Sequence, residues 1–99
     1  MNQTEFLEQL GDNFDKALEI VKSKNQDYAT ELNPFKNFEM AGLVGIGVPQ
    51  AILVRVTDKI GRISNLIGRK NAVENETIGD TLLDCMNYLN ILKVYLEDK

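Results

Sequence analysis

Three stretches of this 99-residue chain place apolar side chains three and four apart, and that rhythm limits the fold more than any other feature. Leu7, Leu10, Phe14, Leu18 and Val21 follow it within residues 3–24. Ile52, Val56, Ile60, Ile63 and Ile67 follow it between Pro49 and Ile67. Ile78, Leu82, Cys85, Leu89, Leu92 and Leu96 follow it from Asn75 to Glu97. A 3.6-residue period gathers each set on one side of a helix, and no stretch shows the two-residue alternation of a half-buried strand. The expected fold is all-α: a small bundle of three long helices and one short one, forming a single domain over residues 1–99.

The punctuation agrees with these helices. Asn2 with Glu5 three residues on resembles a capping pair at the first helix start. Asn33 before Pro34 marks a second start, with Pro at the first helical position, leading into FKNFEMA. Three glycines in GLVGIGV argue against a stable helix there, and Pro49 opens the next long helix. Gly68 fits the C-terminal cap of that helix, and RKNAVENE reads as a polar connector. The glycines at 42, 45 and 47 are not in the order of a phosphate-binding loop, and no strand precedes them. A hinge is the simpler reading.

Composition then narrows the chemistry. Hydrophobic residues make up 43% of the chain, enough for a thin core in a domain of this size. Helices of this length keep apolar surface that one small bundle cannot cover, so a homo-oligomer is expected. The net charge is −4 without a basic run, which argues against a duplex nucleic-acid partner. There is no histidine and Cys85 is the single cysteine, which leaves no intramolecular disulfide, no Cys/His zinc cage and no histidine-activated nucleophile. Cys85 lies on the apolar side of its helix and reads as a core residue. The opening MNQTEFLEQL lacks a signal-peptide core, and no apolar run approaches bilayer length. The expectation is therefore a cytoplasmic protein with no membrane partner. Any catalysis would fall to carboxylates, lysines, arginines and tyrosines, with a hard metal ion.

The last helix carries the densest set of such groups. Glu76, Asp80, Asp84, Asn87 and Tyr88 recur at three- and four-residue spacing and so share a face. A solvated face is the plain reading. Against it, the sector of Asp80 and Asp84 later holds Ile91, Val94 and Tyr95, as expected of a helix covered on most sides with its carboxylates in a cleft. Carboxylates one turn apart need a cation, and Lys, Arg or Mg²⁺ would serve. The preceding long helix offers a second polar stripe: Arg55, Asp58, Arg62, Asn65 and Arg69, with Lys59 near the apolar edge. Asp58 and Arg62 have the spacing of an ordinary intrahelical ion pair. The functional alternative adds Asp58 to the metal ligands and sets Arg62 or Lys59 on phosphate oxygens.

One further segment, KNQDYATELNPFKNF at residues 24–38, is long for a helix connector and unusually rich in large groups. It holds Lys24, Asp27, Tyr28, Lys36 and two phenylalanines. Together with AILVRVTDKIGRISNLI and ETIGDTLLDCMNYLNIL, it resembles small phage and bacterial proteins of the first nucleotide-modification-associated domain family. That family is grouped with the all-α MazG-like nucleotide pyrophosphohydrolases, and the resemblance spans roughly residues 20 to 96.

The resemblance implies an oligomeric nucleotide-handling protein. In its enzymatic form Mg²⁺ would assist cleavage of a nucleoside triphosphate to a monophosphate and pyrophosphate. Asp58, Asp80 and Asp84 would hold the metal, and Glu76 would position or deprotonate water. Lys24, Asp27, Tyr28, Lys36, Lys59, Arg62, Asn87 and Tyr88 would line the ligand site, and the phenylalanines would close the end of the bundle. One departure bears on the reaction. The MazG-like enzymes carry an ExxE pair on the earlier helix, whereas residues 49–68 have Asp58 and Arg62 and no such pair. The alternative is a non-catalytic phage protein, in the host cytoplasm, that sequesters a nucleotide or nucleotide-derived signal.

Overall fold

The computed structural model describes residues 1–27, 33–69 and 75–98, with all their side chains except those of 25–27 and 75–77. Every regular element among them is helical, so the chain is all-α. It forms two compact units, Met1–Thr30 and Glu31–Lys99.

The first unit is the helix α1, Gln3–Asp27, which runs three residues past the expected end. Its start is a reciprocal capping box. Glu5 N–H donates to Asn2 Oδ1 at 2.8 Å, and Asn2 N–H donates to Glu5 Oε1 at 3.3 Å. Two donors that a helix start leaves without intrahelical partners are thus satisfied by the pair the sequence pattern suggests. Leu7, Leu10, Phe14 and Leu18 of its apolar face are exposed.

The second unit opens with a turn. Asn33 Oδ1 accepts from Phe35 N–H at 3.0 Å, and Asn33 Nδ2 donates to Glu39 Oε1 at 2.7 Å. This Asx turn spans Pro34 and delays the helix, so α2 is Lys36–Glu39 and Pro34 lies before it rather than at its first position. The chain then tightens into a 3₁₀ turn, Met40–Val44, which carries Gly42, and residues 45–47 lie outside any helix. The turn ends in a Schellman motif. Gly45 adopts φ 80°, Ile46 N–H reaches Ala41 O at 3.1 Å, and Gly45 N–H reaches Gly42 O at 3.0 Å. Only glycine takes that left-handed position without steric cost.

Gly47 is extended and caps α3, Val48–Ile67, with Pro49 in its first turn where the absent N–H costs nothing. The glycines therefore build a corner: Lys36–Val44 and Val48–Ile67 meet at 102°. Gly68 does stand at the C-cap, but in the right-handed region at φ −75°, so its glycine freedom is not used there. The helix α4 is Asn75–Glu97, as its apolar repeat predicts. Among the described residues no single helix is long and apolar enough to cross a membrane.

The helices α3 and α4 pack along their lengths as an antiparallel hairpin, joined through the short segment 68–74. On α3 the inward line is Val48, Ile52, Val56, Lys59, Ile63 and Leu66, all buried or half-buried, with Ile52 fully covered. On α4 the inward line is Thr81, Cys85, Tyr88, Leu92 and Tyr95. The expected α4 stripe is only partly inside, because Leu82, Leu89 and Leu96 are exposed. At about 100° per residue the buried sector of α4 is displaced by nearly one residue from the most apolar line. Aromatic contacts fix this rotation. Phe35 meets Tyr95 edge-on at 5.0 Å and Phe38 meets Tyr88 edge-on at 6.3 Å, which draws the tyrosine edge of α4 inward. The phenylalanines thus close the hairpin end.

Candidate functional site

Residues that immediately precede an inward residue lie on one flank of each helix, and those that immediately follow lie on the other. An antiparallel pair is related by a two-fold axis perpendicular to its plane, which leaves top and bottom unchanged. Matching flanks of α3 and α4 therefore fall on the same side of the hairpin. The preceding residues are Arg55, Asp58, Arg62 and Asn65 on α3. On α4 they are Asp80, Asp84, Asn87, Ile91 and Val94. One side of the hairpin consequently carries charged groups from both helices, with Asn87 buried beneath it and Ile91 and Val94 continuing it as an apolar stretch. Arg69, exposed, follows the end of α3.

The Lys59–Asp84 ion pair sets the register of this surface. Lys59 Nζ lies 3.3 Å from Asp84 Oδ2, and both side chains are less than one quarter exposed. Three to four residues further along α3, and correspondingly back along α4, Arg62 is level with Asp80 and Thr81. One turn the other way, Arg55 is level with Asn87 and Tyr88. Arg55, Asp58, Arg62 and Asp80 are exposed. Asp58 and Arg62 form no ion pair with each other, although their spacing permits one, and Arg55 has no ionic partner among the described residues. The flank therefore presents two exposed arginines one heptad apart on α3.

The expected metal ligands are distributed differently from a cluster. Asp58 and Asp80 are exposed, Asp84 is half-buried against Lys59, and no three acidic or thiol groups gather to hold an ion among the described residues. Among the described residues Asp58, Asp80 and Asp84 assemble no Mg²⁺ donor set by themselves. Of the cations that the carboxylate spacing allows, a lysine ammonium stands beside Asp84. The pair holds Lys59 between the helices.

The ligand candidates divide in a similar way. Asn87 is buried on α4 and Tyr88 is half-buried against Phe38. Lys36 is exposed on α2, and Lys24 is exposed near the end of α1, in the first unit. Asp27 ends α1 and Glu76 sits in the first turn of α4, but their side chains, and all of Tyr28, lie outside the described residues. Arg55 and Arg69 were not among the expected ligand groups. Their seven-residue spacing from Arg62 on the same stripe is the signal that finds them. Tyr95 and Thr81, also outside the expected set, shape the inward line beneath the flank.

No family model, curated protein or solved structure matches the chain.

Proposed function

We propose that this protein binds a nucleotide or nucleotide-derived small molecule and holds it without cleaving it. The α3 arginines receive the phosphates: Arg62 and Arg55 offer planar, permanently charged donor forks suited to bidentate contacts with phosphate oxygens. Exposed Lys36 adds a third cation in the same unit. The nucleotide class rests on the sequence resemblance. The choice of capture over hydrolysis rests on one observation, the Lys59–Asp84 ion pair. A carboxylate already neutralised by lysine has little left to offer a metal, and the absent ExxE pair removes the usual partner carboxylates. Arginine capture needs neither.

The test is an incubation of near-stoichiometric protein with a panel of nucleoside triphosphates and cyclic nucleotides, followed by denaturation and analysis of the released small molecules. Capture depletes free ligand at one equivalent per site and returns it intact, with EDTA making no difference. Turnover of many equivalents to monophosphate and pyrophosphate, abolished by EDTA, would replace the binder with the Mg²⁺-dependent hydrolase.

A further inference from the structure

A helix stripe built only to hold phosphate has no use for a carboxylate in its middle. The α3 flank nevertheless sets Asp58 between its arginines, three residues after Arg55 and four before Arg62. At about 1.5 Å of rise per residue, Asp58 stands roughly 4.5 Å along the helix from one and roughly 6 Å from the other. All three side chains are exposed, and among the described residues Asp58 pairs with neither arginine. Asp84, across the hairpin, is held by Lys59, and Asp80 is level with Arg62 at one end of the arginine pair. Asp58 is therefore the acceptor that stands between the two guanidinium groups.

The order Arg–Asp–Arg limits what lies well on this stripe. A phosphate oxygen over Asp58 meets a like charge, whereas a neutral hydroxyl there meets two acceptor oxygens. The matching ligand is anionic at one end and carries hydroxyl donors about one helical turn away. A nucleoside 5′-phosphate has that layout, because its sugar hydroxyls lie across the ring from the phosphate arm. A polyphosphate without a sugar lacks it.

We propose that Asp58 is a specificity residue of the arginine flank, accepting hydrogen bonds from the sugar hydroxyls of a nucleotide whose phosphates the arginines hold. The inference rests on the nucleotide-binding reading and narrows it to nucleotides with a free sugar hydroxyl. Asp58 opposes every phosphate ligand alike through its charge and favours only those that bring a hydroxyl. A purely structural role, tempering repulsion between Arg55 and Arg62, acts on all ligands equally and leaves their order unchanged.

Calorimetric titration of the full chain separates the two roles through a ratio of affinities. Each nucleoside triphosphate that binds is compared with its 2′,3′-dideoxy counterpart, which keeps base and phosphates and lacks only the hydroxyls. The wild type binds the hydroxyl-bearing form at least about fivefold more tightly, the worth of one hydrogen bond. Asp58→Ala, at an exposed position where alanine favours the helix, abolishes the preference and does not weaken binding of the dideoxy form. Asp80→Ala removes an equal charge from the same side of the hairpin and keeps the wild-type preference. Circular dichroism of both variants confirms retained helicity, and the dideoxy comparison in the wild type is free of mutation. Equal wild-type affinity for the two forms, or a preference that survives Asp58→Ala, overturns the inference and leaves nucleotide capture standing. A protein that binds no triphosphate overturns it as well, and one that binds no nucleotide at all takes the capture reading with it.

Discussion

The two flanks of the α3/α4 hairpin are one residue position away from the same inward line, yet they differ in chemistry. Before inward residues the chain places Arg55, Asp58, Arg62, Asp80, Asp84 and Asn87, with Ile91 and Val94 toward one end. After inward residues stand Leu53, Ile60, Ile67, Leu82, Leu89 and Leu96, with Thr57, Ser64 and Lys93 among them. A hairpin built only from its apolar repeat would turn Leu82, Leu89 and Leu96 inward, whereas α4 turns Thr81, Tyr88 and Tyr95 inward beside Cys85 and Leu92. The difference teaches that the inward line is set by aromatic packing and one Lys–Asp pair as much as by apolar period.

The largest effects are expected where the inward line is challenged directly. Ile52 is fully buried, so Ile52→Ala costs about 2 to 5 kcal/mol of unfolding free energy, read from urea denaturation. Ile60→Ala, two turns along but exposed, costs no more than about 1 kcal/mol in the same measurement. Equal losses for the two variants would erase the distinction between the inward line and its flank.

A smaller effect separates the two aspartates of the polar flank. Sequence spacing alone argues that removing either charge relieves repulsion between carboxylates one turn apart and leaves stability level or raised. The Lys59 partner reverses the sign for Asp84. Asp84→Asn leaves a half-buried ammonium without its counter-charge and lowers stability by about 1 kcal/mol. Asp80→Asn, exposed and unpaired, changes it by no more than a few tenths of a kcal/mol. Thermal denaturation of both variants, with Lys59→Met completing a double-mutant cycle, reads the difference. A gain in stability from Asp84→Asn would contradict the pairing.

Much of this architecture is legible in the chain itself. Apolar period and flanking residues place α4 at its observed bounds, Asn2 and Glu5 announce the capping box, and Pro49 opens α3. Cys85 is buried as its position on the helix implies. The rotation of α4 is not legible, because its apolar residues occupy more than one sector and periodicity cannot rank sectors that are all partly apolar. Phe35 and Phe38 decide the matter through contacts remote in sequence. The site shows the same split. A polar stripe on each helix is visible from spacing, whereas the pairing of Lys59 with Asp84 across the hairpin depends on an antiparallel register that no local pattern encodes. The corner at Gly45 was readable as a break, but its Schellman closure depends on backbone bonds from residues 45 and 46.

The central claim is that the arginine flank captures a phosphate-bearing ligand without metal, and the most direct measurement is calorimetric titration in EDTA. The best-bound nucleotide from the panel is titrated into the wild type and into Arg62→Gln, which keeps a long helix-favouring side chain while removing the charged fork. The account predicts metal-independent binding to the wild type. It predicts affinity at least about tenfold weaker for Arg62→Gln, the loss of one charge-assisted contact, with the sedimenting mass unchanged. Wild-type affinity in Arg62→Gln, or binding that disappears when EDTA is present, would contradict it.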